Sequence, residues 1–408
     1  MINLETPRRF AALVKQAHRV AEEVFRPNSR TYDHAEHSYP KELDMLAAVI
    51  DGMEAGDPSA RAGAARVRRN EREIENSGGK GDVHNGTNMS TVLSVMELCW
   101  GDTGLLLSMP RQGLGNSAIA SVANEQQLAR FGHLWAAMAI TEPECGSDSA
   151  AIRTTARLDG DHYVLNGEKI YVTSGSRADA VVVWATLDRS MGRAAIKSFV
   201  VGRDTPGFEM VRLEDKLGIR ASDTAAFTLT DVRVPKENLL GDPEVRPDGG
   251  FAGVMQTFDN TRPMVAGMAV GVARAALERT REILQESGVV IDYDLPLSQQ
   301  QASAAAFIEA EADYEAAHLL TLKAAWLADN NLPNSLEAST AKAKAGRSAT
   351  QIALRCVALA GAAGYSEREL LEKWARDVKI LDIFEGTQQI QQLIVARRLL
   401  GKSSQELR

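Results

Sequence analysis

Cysteine and the spacings that build metal sites are scarce in this sequence. Its 408 residues include three cysteines, Cys99, Cys145 and Cys356, and its seven histidines show no HExxH spacing. Three scattered cysteines are too few for a disulfide framework or a zinc site, and the histidines lack the metalloprotease pattern. We therefore expect reduced thiols and no bound metal.

The sequence also lacks the features of several other protein classes. No stretch approaches the length of a membrane-spanning helix, and residues 1–10 lack the apolar core of a secretory signal, so we expect a cytoplasmic protein without a membrane span. The net charge of −8 argues against a nucleic-acid partner, which requires a clustered excess of Lys and Arg. Neither a GxGxxG loop nor a Walker loop is present, so any nucleotide must bind by another geometry.

What the sequence does contain is an ordinary globular composition divided into three segments. Hydrophobic residues make up 44% of the chain and charged residues 25%, as in soluble domains. The apolar spacing is helical over residues 1–137, has a period of two over 138–242 and is helical again over 243–408. This order predicts an α+β protein with an N-terminal helical domain, a central β domain and a C-terminal helical bundle. The polar segment 57–81 is interpreted as a solvated helix face with a loop, because charges of both signs interleave there.

Turn residues set the expected limits of the strands. Asp159-Gly160 and Asn166-Gly167 predict hairpin turns on either side of a strand at 162–165. Further strands are expected at 180–186, 197–202 and 224–232. The central segment should therefore be built from hairpins.

Cap residues set the limits of the C-terminal helices, which are expected at 251–285, 298–328, 335–363, 366–384 and 387–400. Ser366 with Glu369, and Ser298 with Gln301, have the spacing of a capping box at a helix start. Gly364 and Gly401 stand where a left-handed C-cap is expected.

Five motifs resemble those of the acyl-CoA dehydrogenase family, in the same order and spacing over about residues 90–400. They are AITEPECGSD at 139–148, NGEKIYVTSG at 166–175, ASDTAAFTLTDVRVPKENL at 221–239, FDNTRPMVA at 258–266 and IFEGTQQIQQLIVAR at 383–397. One of these motifs alone is a weak signal, whereas five in order are specific. The resemblance implies a β-sandwich or barrel-like middle domain and a C-terminal four-helix bundle.

The resemblance also implies a reaction. Members of this family oxidise the α,β bond of an acyl-CoA thioester to the trans-2-enoyl form, pass a hydride to N5 of FAD and deliver electrons to an electron-transferring flavoprotein. This chemistry needs a base at the α-proton and donors at the carbonyl oxygen, because a thioester α-proton is barely acidic in water. A homo- or hetero-tetramer is expected on the same ground. The length and branching of the acyl group cannot be inferred from the motifs.

Glu385 is the expected base. It follows the largely apolar run 380–384 and precedes Gly386 at a break between two predicted helices, where a side chain can point inward. A lone glutamate here would more simply be a helix-terminal residue favoured by the dipole of the next helix, which Thr387 caps. Within EGTQQIQ, the resemblance makes Glu385 the proton acceptor, its backbone amide a donor to the thioester oxygen, and Gly386 a substrate contact.

The resemblance implies further contacts with the cofactor. The matching positions are Ile140, Thr141, Tyr171 and Thr173 at the isoalloxazine edge, and Gly361, Thr387 and Gln389 elsewhere on FAD. Plainer interpretations stay open for two of them: Tyr171 alone would be an ordinary residue on a half-buried strand, and Gln389 a solvent-facing helix position.

The positions that match CoA contacts in the family are Ser147, Ser222, Asp259, Thr261 and Arg262. Arg262 has an alternative interpretation as an i, i+3 ion pair with Asp259, worth only about 0.2–0.5 kcal/mol. Cys145 occupies a small-residue position and is interpreted as a packing residue.

One family motif is missing. Relatives carry Arg-x-x-Phe-Gly, whose arginine reaches across a subunit interface to the FAD pyrophosphate, whereas residues 290–294 here read VIDYD. Val290 cannot make the bidentate contact, and the neighbouring carboxylates repel a diphosphate. The family's Gln-Leu-Gly-Gly is likewise replaced by ALAGA at 358–362.

Two explanations of this loss compete. Either the loop takes another course and other residues bind the diphosphate, or a non-identical partner chain supplies the arginine. The partner is slightly favoured, because the motifs for the base and the isoalloxazine ring are intact. The alternative function is therefore a flavin-deficient structural or regulatory subunit of a hetero-oligomeric acyl-CoA dehydrogenase.

Overall fold

The computed structural model describes residues 7–53, 86–111, 113–245 and 252–403, together with Glu406. The side chains of residues 49–53 and 252–260 lie outside this description. The polar segment 57–81 also lies outside the described residues, so its interpretation as a solvated face with a loop stays a prediction.

The N-terminal segment is helical, as the apolar spacing predicts. A π-helical turn, Ala21–Phe25, joins its first two helices without a break. The helices are α1 (Ala11–Val20), α2 (Arg26–His34), α3 (Glu42–Met53), α4 (Thr87–Gly101), α5 (Thr103–Leu107), α6 (Leu114–Val122) and α7 (Glu125–Phe131).

Local capping explains where two of these helices begin. The Asp102 side chain accepts a hydrogen bond from the amide of Leu105 at the start of α5. Asn124 and Gln127 form a reciprocal capping box at the start of α7. Each cap satisfies amides that have no partner within the helix.

The central segment is a curled sheet of seven strands in the order β1-β4-β2-β3-β7-β6, with β5 paired to β4. β4 is parallel to β1 and β2, and the remaining pairs are antiparallel. The strands are β1 (Ala136–Ala139), β2 (Thr155–Asp159), β3 (His162–Thr173), β4 (Ala180–Thr186), β5 (Ile196–Gly202), β6 (Phe208–Leu213) and β7 (Thr224–Pro235).

The two predicted turns of the central segment have different outcomes. Asp159 pairs with His162 across a two-residue turn, in which Gly160 has a φ of 61°, so the first hairpin is confirmed. Asn166-Gly167 is not a turn: it lies inside β3, where the register against β7 shifts between Leu165 and Gly167. A turn-forming Asn-Gly pair is also compatible with a β-bulge, and the strand continues through it.

The C-terminal segment is dominated by four long helices, α8 (Ala252–Glu286), α9 (Ala302–Asp329), α10 (Ser335–Ala360) and α13 (Gln388–Leu400). Two short helices, α11 (Ala362–Tyr365) and α12 (Leu371–Asp377), precede a 3-10 turn, Val378–Asp382. Small residues let α8 approach α4 closely, since a Cβ added to Gly271 would lie 2.3 Å from the Met96 carbonyl oxygen. Alanine and glycine thus set the close spacing of the bundle.

Several predicted helix ends are wrong. The long helix stops at Gly361, which has a φ of 58°, whereas Gly364 lies inside α11. Neither capping box forms: α12 begins after Leu370 and α9 after Gln301, and neither start has a side-chain cap. Gly401 is the left-handed C-cap of α13, as predicted.

A buried ionic cluster joins the three segments. Lys373 on α12 donates to Asp102, which precedes α5, at 2.7 Å, and also to Asp377. Asp377 accepts from the backbone amide of Ile219, which lies between β6 and β7. Ser29 on α2 donates to Asp102. One lysine is therefore the centre of a cluster with a member in each of the three segments.

The predicted α+β fold class is confirmed: helices, then a sheet, then a helical bundle follow one another along the chain. The domain boundaries at 137/138 and 242/243 stay predictions, although β1 begins two residues before the first of them. None of the helices in the described residues combines the length and the apolar character that a membrane crossing requires.

Candidate active site

Glu385 lies in a tight turn between the 3-10 turn Val378–Asp382 and α13. Its φ is 53°, and the φ of Gly386 is 90°. A left-handed backbone is uncommon for a residue with a side chain and persists only where surrounding contacts enforce it. A side chain at position 386 would be strained because the φ of Gly386 is 90°, and an added Cβ would also displace Nε2 of Gln391, which would lie 2.4 Å from it.

Three side chains from the neighbouring helices hold this turn in place. Gln391 on α13 donates through Nε2 to the carbonyl oxygens of both Glu385 and Gly386, at 3.2 Å each. Lys342 on α10 donates to the Gly386 carbonyl oxygen at 2.5 Å. Thr387 caps α13 by accepting from the Ile390 amide. The position of Glu385 is therefore fixed by two helices.

The Glu385 carboxyl group is partly buried and accepts a hydrogen bond from the Thr261 hydroxyl group on α8. Burial raises its pKa above the usual glutamate value, while the Thr261 hydrogen bond and the positive charges of Lys342 and Arg262 act in the opposite direction. Burial prevails because removing a carboxylate from water disfavours its charged form. The group is thus a carboxylate with increased affinity for a proton.

α8 brings Thr261 and Arg262 to the same site, and both side chains are buried. The side chain of Asp259 lies outside the described residues, so its role and its pairing with Arg262 stay predictions. Thr261 was expected to contact CoA, and the structure adds a hydrogen bond to the expected base.

The two motifs expected at the isoalloxazine edge are adjacent in the sheet. The amide of Ile170 donates to the carbonyl oxygen of Thr141 at 2.9 Å, which places residues 140–141 against the segment that carries Tyr171 and Thr173. Tyr171 has a φ of 57°, and 62% of its surface is exposed. An exposed aromatic ring on an irregular, left-handed part of a strand suits contact with a planar ligand.

The remaining predicted residues differ in accessibility. Ser147 is exposed, whereas Ser222 is fully buried and its hydroxyl has no hydrogen-bond partner within the described residues. Gly361 and Gln389 are exposed, and Thr387 is partly buried. Cys145 is buried and donates to the Asp148 carbonyl oxygen at 2.7 Å, and burial raises the pKa of its thiol, which favours the packing interpretation.

Comparison with known proteins places this geometry in a family. Residues 137–232 match the acyl-CoA dehydrogenase middle domain, and residues 248–400 match the acyl-CoA dehydrogenase C-terminal domain. The chain is 34% identical to the short-chain specific acyl-CoA dehydrogenase of Clostridium acetobutylicum over 80% of its own length and 84% of the relative's. This chain belongs to the acyl-CoA dehydrogenase family.

Two further proteins are similar to this chain. The mitochondrial short-chain specific acyl-CoA dehydrogenase of Bos taurus is 41% identical over 64% of this chain, but the match spans only 62% of the bovine protein's length. The structure of butyryl-CoA dehydrogenase from Megasphaera elsdenii is 31% identical with a TM-score of 0.79, covering 98% of this chain and 100% of that one. The predicted family, and with it an oxidoreductase class of enzyme, is confirmed.

Sequence reasoning missed a buried ion pair behind the isoalloxazine-edge motifs. Lys169 donates to Glu142 at 2.7 Å and to the Ile140 carbonyl oxygen at 3.1 Å. Glu142 also accepts from the Thr154 amide and hydroxyl group. Burial lowers the pKa of Lys169 to about 8, against the opposing effect of Glu142. Both charged residues stand inside the quoted motifs, and the available signal was Lys169 next to the largely apolar strand residues 170–172.

The structure also describes the loop that replaces the family's arginine motif. Val290 is 68% exposed, and Tyr293 is hydrogen-bonded through its hydroxyl group to Glu311 and Arg281. Arg281 also pairs with Glu311, so its guanidinium is engaged by a carboxylate. The residues present thus fit the isoalloxazine end of FAD, through the open Tyr171 ring, but this loop does not fit its diphosphate.

Among the described residues, one surface group has the spacing of a metal site: the ligand atoms of Glu36, His37 and Asp215 lie within 4.8 Å of one another. Glu36 pairs with Lys216 and Arg220. Because its charge is already balanced by these cations, we do not assign a metal to this group, and the absence of a metal stays a prediction.

Proposed function

We propose that this chain catalyses the FAD-dependent α,β-dehydrogenation of an acyl-CoA thioester to the trans-2-enoyl-CoA, with Glu385 as the base. The observation that supports this most is the Glu385 carboxyl group, held on a strained turn between two helices with its pKa raised by burial. A base with a pKa raised toward the working pH removes a weakly acidic proton more effectively than an ordinary surface carboxylate.

FAD, when bound, supplies the acceptor for the β-hydride. Ile140, Thr141, Tyr171 and Thr173 would hold the edge and face of its ring, and Gly361, Thr387 and Gln389 would contact the rest of the cofactor. Lys169 holds the Ile140 carbonyl oxygen from inside the sheet, which fixes the backbone at the ring edge. The ring would thus meet a preformed surface.

The residues of the turn have separate roles in proton removal. Ionised Glu385 takes the α-proton, and Thr261 orients its carboxylate by donating a hydrogen bond. The backbone amide of Glu385 would donate to the thioester oxygen, where negative charge develops as the proton leaves. Gly386 leaves room for the substrate on that side of the turn.

For the substrate, we propose a short acyl-CoA, because relatives named short-chain specific match this chain over most of its length or at 41% identity. Ser147, Ser222, Asp259, Thr261 and Arg262 would contact the CoA part. Ser222 requires local opening to do so, since it is fully buried. Electrons would pass to an electron-transferring flavoprotein, and the cytoplasm is the proposed location.

A homo- or hetero-tetramer is part of the proposal. Leu393 and Leu400, seven residues apart on one face of α13, are both exposed, as is Leu399. Exposed apolar residues at helical spacing suit burial against another subunit.

A second candidate function is supported by the loop that carries Val290. A chain that presents a valine and two carboxylates where its relatives present an arginine could be a flavin-deficient structural or regulatory subunit of a hetero-oligomer. In that case its partner supplies the cation for the FAD diphosphate.

A visible spectrum of the purified chain tests both candidates. We expect the flavin absorbance of the chain, reconstituted with FAD, to bleach when butyryl-CoA is added anaerobically, and to persist when free CoA is added, because free CoA has no α-proton. A chain that keeps its flavin oxidised with butyryl-CoA and with longer acyl-CoAs contradicts the proposal. A chain that is colourless alone and yellow only with a second subunit selects the alternative.

A further inference from the structure

Lys342 is a buried cation outside every motif that the resemblance identified. It lies two turns into α10, and only 1% of its surface is exposed. A buried ammonium group is normally paired with a carboxylate, because its desolvation is costly. In the described part of the chain, no carboxylate oxygen lies within 4.0 Å of its Nζ.

Lys342 instead contacts the turn formed by Glu385 and Gly386. Its Nζ donates to the carbonyl oxygen of Gly386 at 2.5 Å, next to the residue proposed as the base. The charged groups that influence Lys342 come from three elements: Asp382 from the 3-10 turn, Glu385 from the turn itself and Arg262 from α8. Asp382 is already paired with Lys379 at 2.9 Å.

The charges around Lys342 can be assigned to individual partners. Burial lowers the pKa of Lys342, and the charges of Asp382 and, to a smaller extent, Glu385 oppose this effect. Because Asp382 already has an ion-pair partner in Lys379, the charge of Glu385 is the one left for Lys342 to balance. Arg262 on α8 carries the same sign as Lys342 and adds to the positive potential at Glu385. A carboxylate near two cations ionises at lower pH than burial alone would allow.

We propose that Lys342 is a positioning residue for the dehydrogenation, which fixes the Glu385–Gly386 turn through the Gly386 carbonyl oxygen and supplies the positive charge that keeps the base ionised. It does not touch substrate or cofactor in this role. The inference rests on the proposed function of Glu385 as the base.

The first test separates the charge of Lys342 from its hydrogen bond. Lys342→Met removes both, whereas Lys342→Gln removes the charge and keeps a donor for the Gly386 carbonyl oxygen. The rate of flavin reduction by butyryl-CoA is measured against pH for each variant. Lys344→Met is the matched control, because Lys344 lies on the same helix and pairs with Asp313 away from the turn.

The direction of the expected change follows from the charge. Loss of a positive charge raises the pKa of Glu385, so the rise of rate with pH moves to higher pH in both Lys342 variants. For each pH unit by which the profile is displaced, the rate at a pH below the pKa of Glu385 falls about tenfold. Lys344→Met should follow the wild type. A Lys342→Met profile that superimposes on the wild-type profile overturns the proposal, and a Lys342→Gln profile that does so overturns the role of the charge.

A reciprocal measurement needs neither flavin nor turnover. If Lys342 stabilises the ionised form of Glu385, then Glu385 stabilises protonated Lys342 by the same free energy. Glu385→Gln should therefore lower the pKa of Lys342, measured by NMR of selectively labelled lysine side chains. An unchanged pKa in Glu385→Gln refutes the inference, even if the Lys342 variants fail to fold. Failure of the proposed function is seen separately, as a wild-type flavin that butyryl-CoA does not reduce.

Discussion

At the scale of single residues, the carboxyl group of Glu385 combines two features that an ordinary surface glutamate lacks. Its backbone is left-handed, and its side chain is withdrawn from water and bonded to Thr261. Both features cost free energy, and such costs are typical of functional positions. The residue is therefore better explained as a base than as a helix-terminal glutamate favoured by the α13 dipole.

Replacing Glu385 by Gln should abolish proton removal while keeping the shape of the site. We expect flavin reduction by butyryl-CoA to slow by roughly 100- to 10,000-fold, because the general base is lost. Stopped-flow absorbance measures the rate, and Glu209→Gln on the exposed face of β6 is the control. Retention of more than a tenth of the wild-type rate would exclude Glu385 as the base.

The pH dependence of the wild-type reaction should report the same group. Burial raises the pKa of Glu385, and a base acts in its ionised form, so the rate should rise with pH through a value above the usual 4.5 of glutamate. The reductive half-reaction measured over a pH series gives this value. A rate already at its plateau at pH 4.5 would show that no base with a raised pKa takes part in the reaction.

Sequence reasoning identified Glu385 and the Thr387 cap, but not Lys342 and Gln391, which hold the turn through its carbonyl oxygens. The EGT motif drew attention to the proposed base, and AITEP and GEKIYVT to the proposed isoalloxazine edge. Lys342 stands in a stretch, AKAKAG, that resembles a solvated helix face, and whether a lysine there is buried depends on which side of α10 faces the turn. That is decided by packing between helices distant in sequence, which single-sequence patterns do not encode.

At the scale of elements, the turn before α13 depends on glycine at position 386. Gly386→Ala should displace the turn, since its φ is 90° and an added Cβ would meet Nε2 of Gln391. We expect slower flavin reduction together with a lower melting temperature. Gly202→Ala is the control, because Gly202 has no positive φ and the nearest atom to its Cβ lies 3.5 Å away. Equal rates and melting temperatures for Gly386→Ala and the wild type would contradict this account.

Strand and helix types were predictable at this scale, and their limits were less so. The continuous, largely apolar run at 180–186 has the predicted limits, because β4 is buried along its whole length and has no competing signal. Ser366 and Glu369 have the spacing of a capping box, but Glu369 instead pairs with Arg279 on α8. The ion pair between Glu369 and Arg279 thus forms in place of the capping box, and the helix starts at Leu371 and not at the predicted residue 366.

At the scale of the whole molecule, the loop at Val290 bears on whether this chain binds FAD unaided. Val290→Arg should restore a cation for the diphosphate, so we expect the variant to retain more FAD after desalting than the wild type purified alone. Leu295→Arg, at an exposed position of the same loop, is the control for added charge. Equal retention in the two variants would show that position 290 does not face the diphosphate.

The order of the three segments was predictable, because a change of apolar period from helical to alternating and back is visible in the sequence. The way in which they are joined was not. Asp102 and Ile219 are far along the chain from Lys373 and Asp377, and each of the three charged residues alone looks ordinary in the sequence.

The cluster around Lys373 makes the three segments dependent on one another for stability. If the amide of Ile219 moved away, Asp377 would lose a hydrogen bond, and if the carboxylate of Asp102 moved away, Lys373 would lose one of its two carboxylate partners. Removing a partner from a buried ion pair costs up to about 3–5 kcal/mol. Such a loss is comparable to much of the net stability of a domain. The segments should consequently melt together in a single calorimetric transition, and a protease should find no boundary between them at which to release a folded fragment.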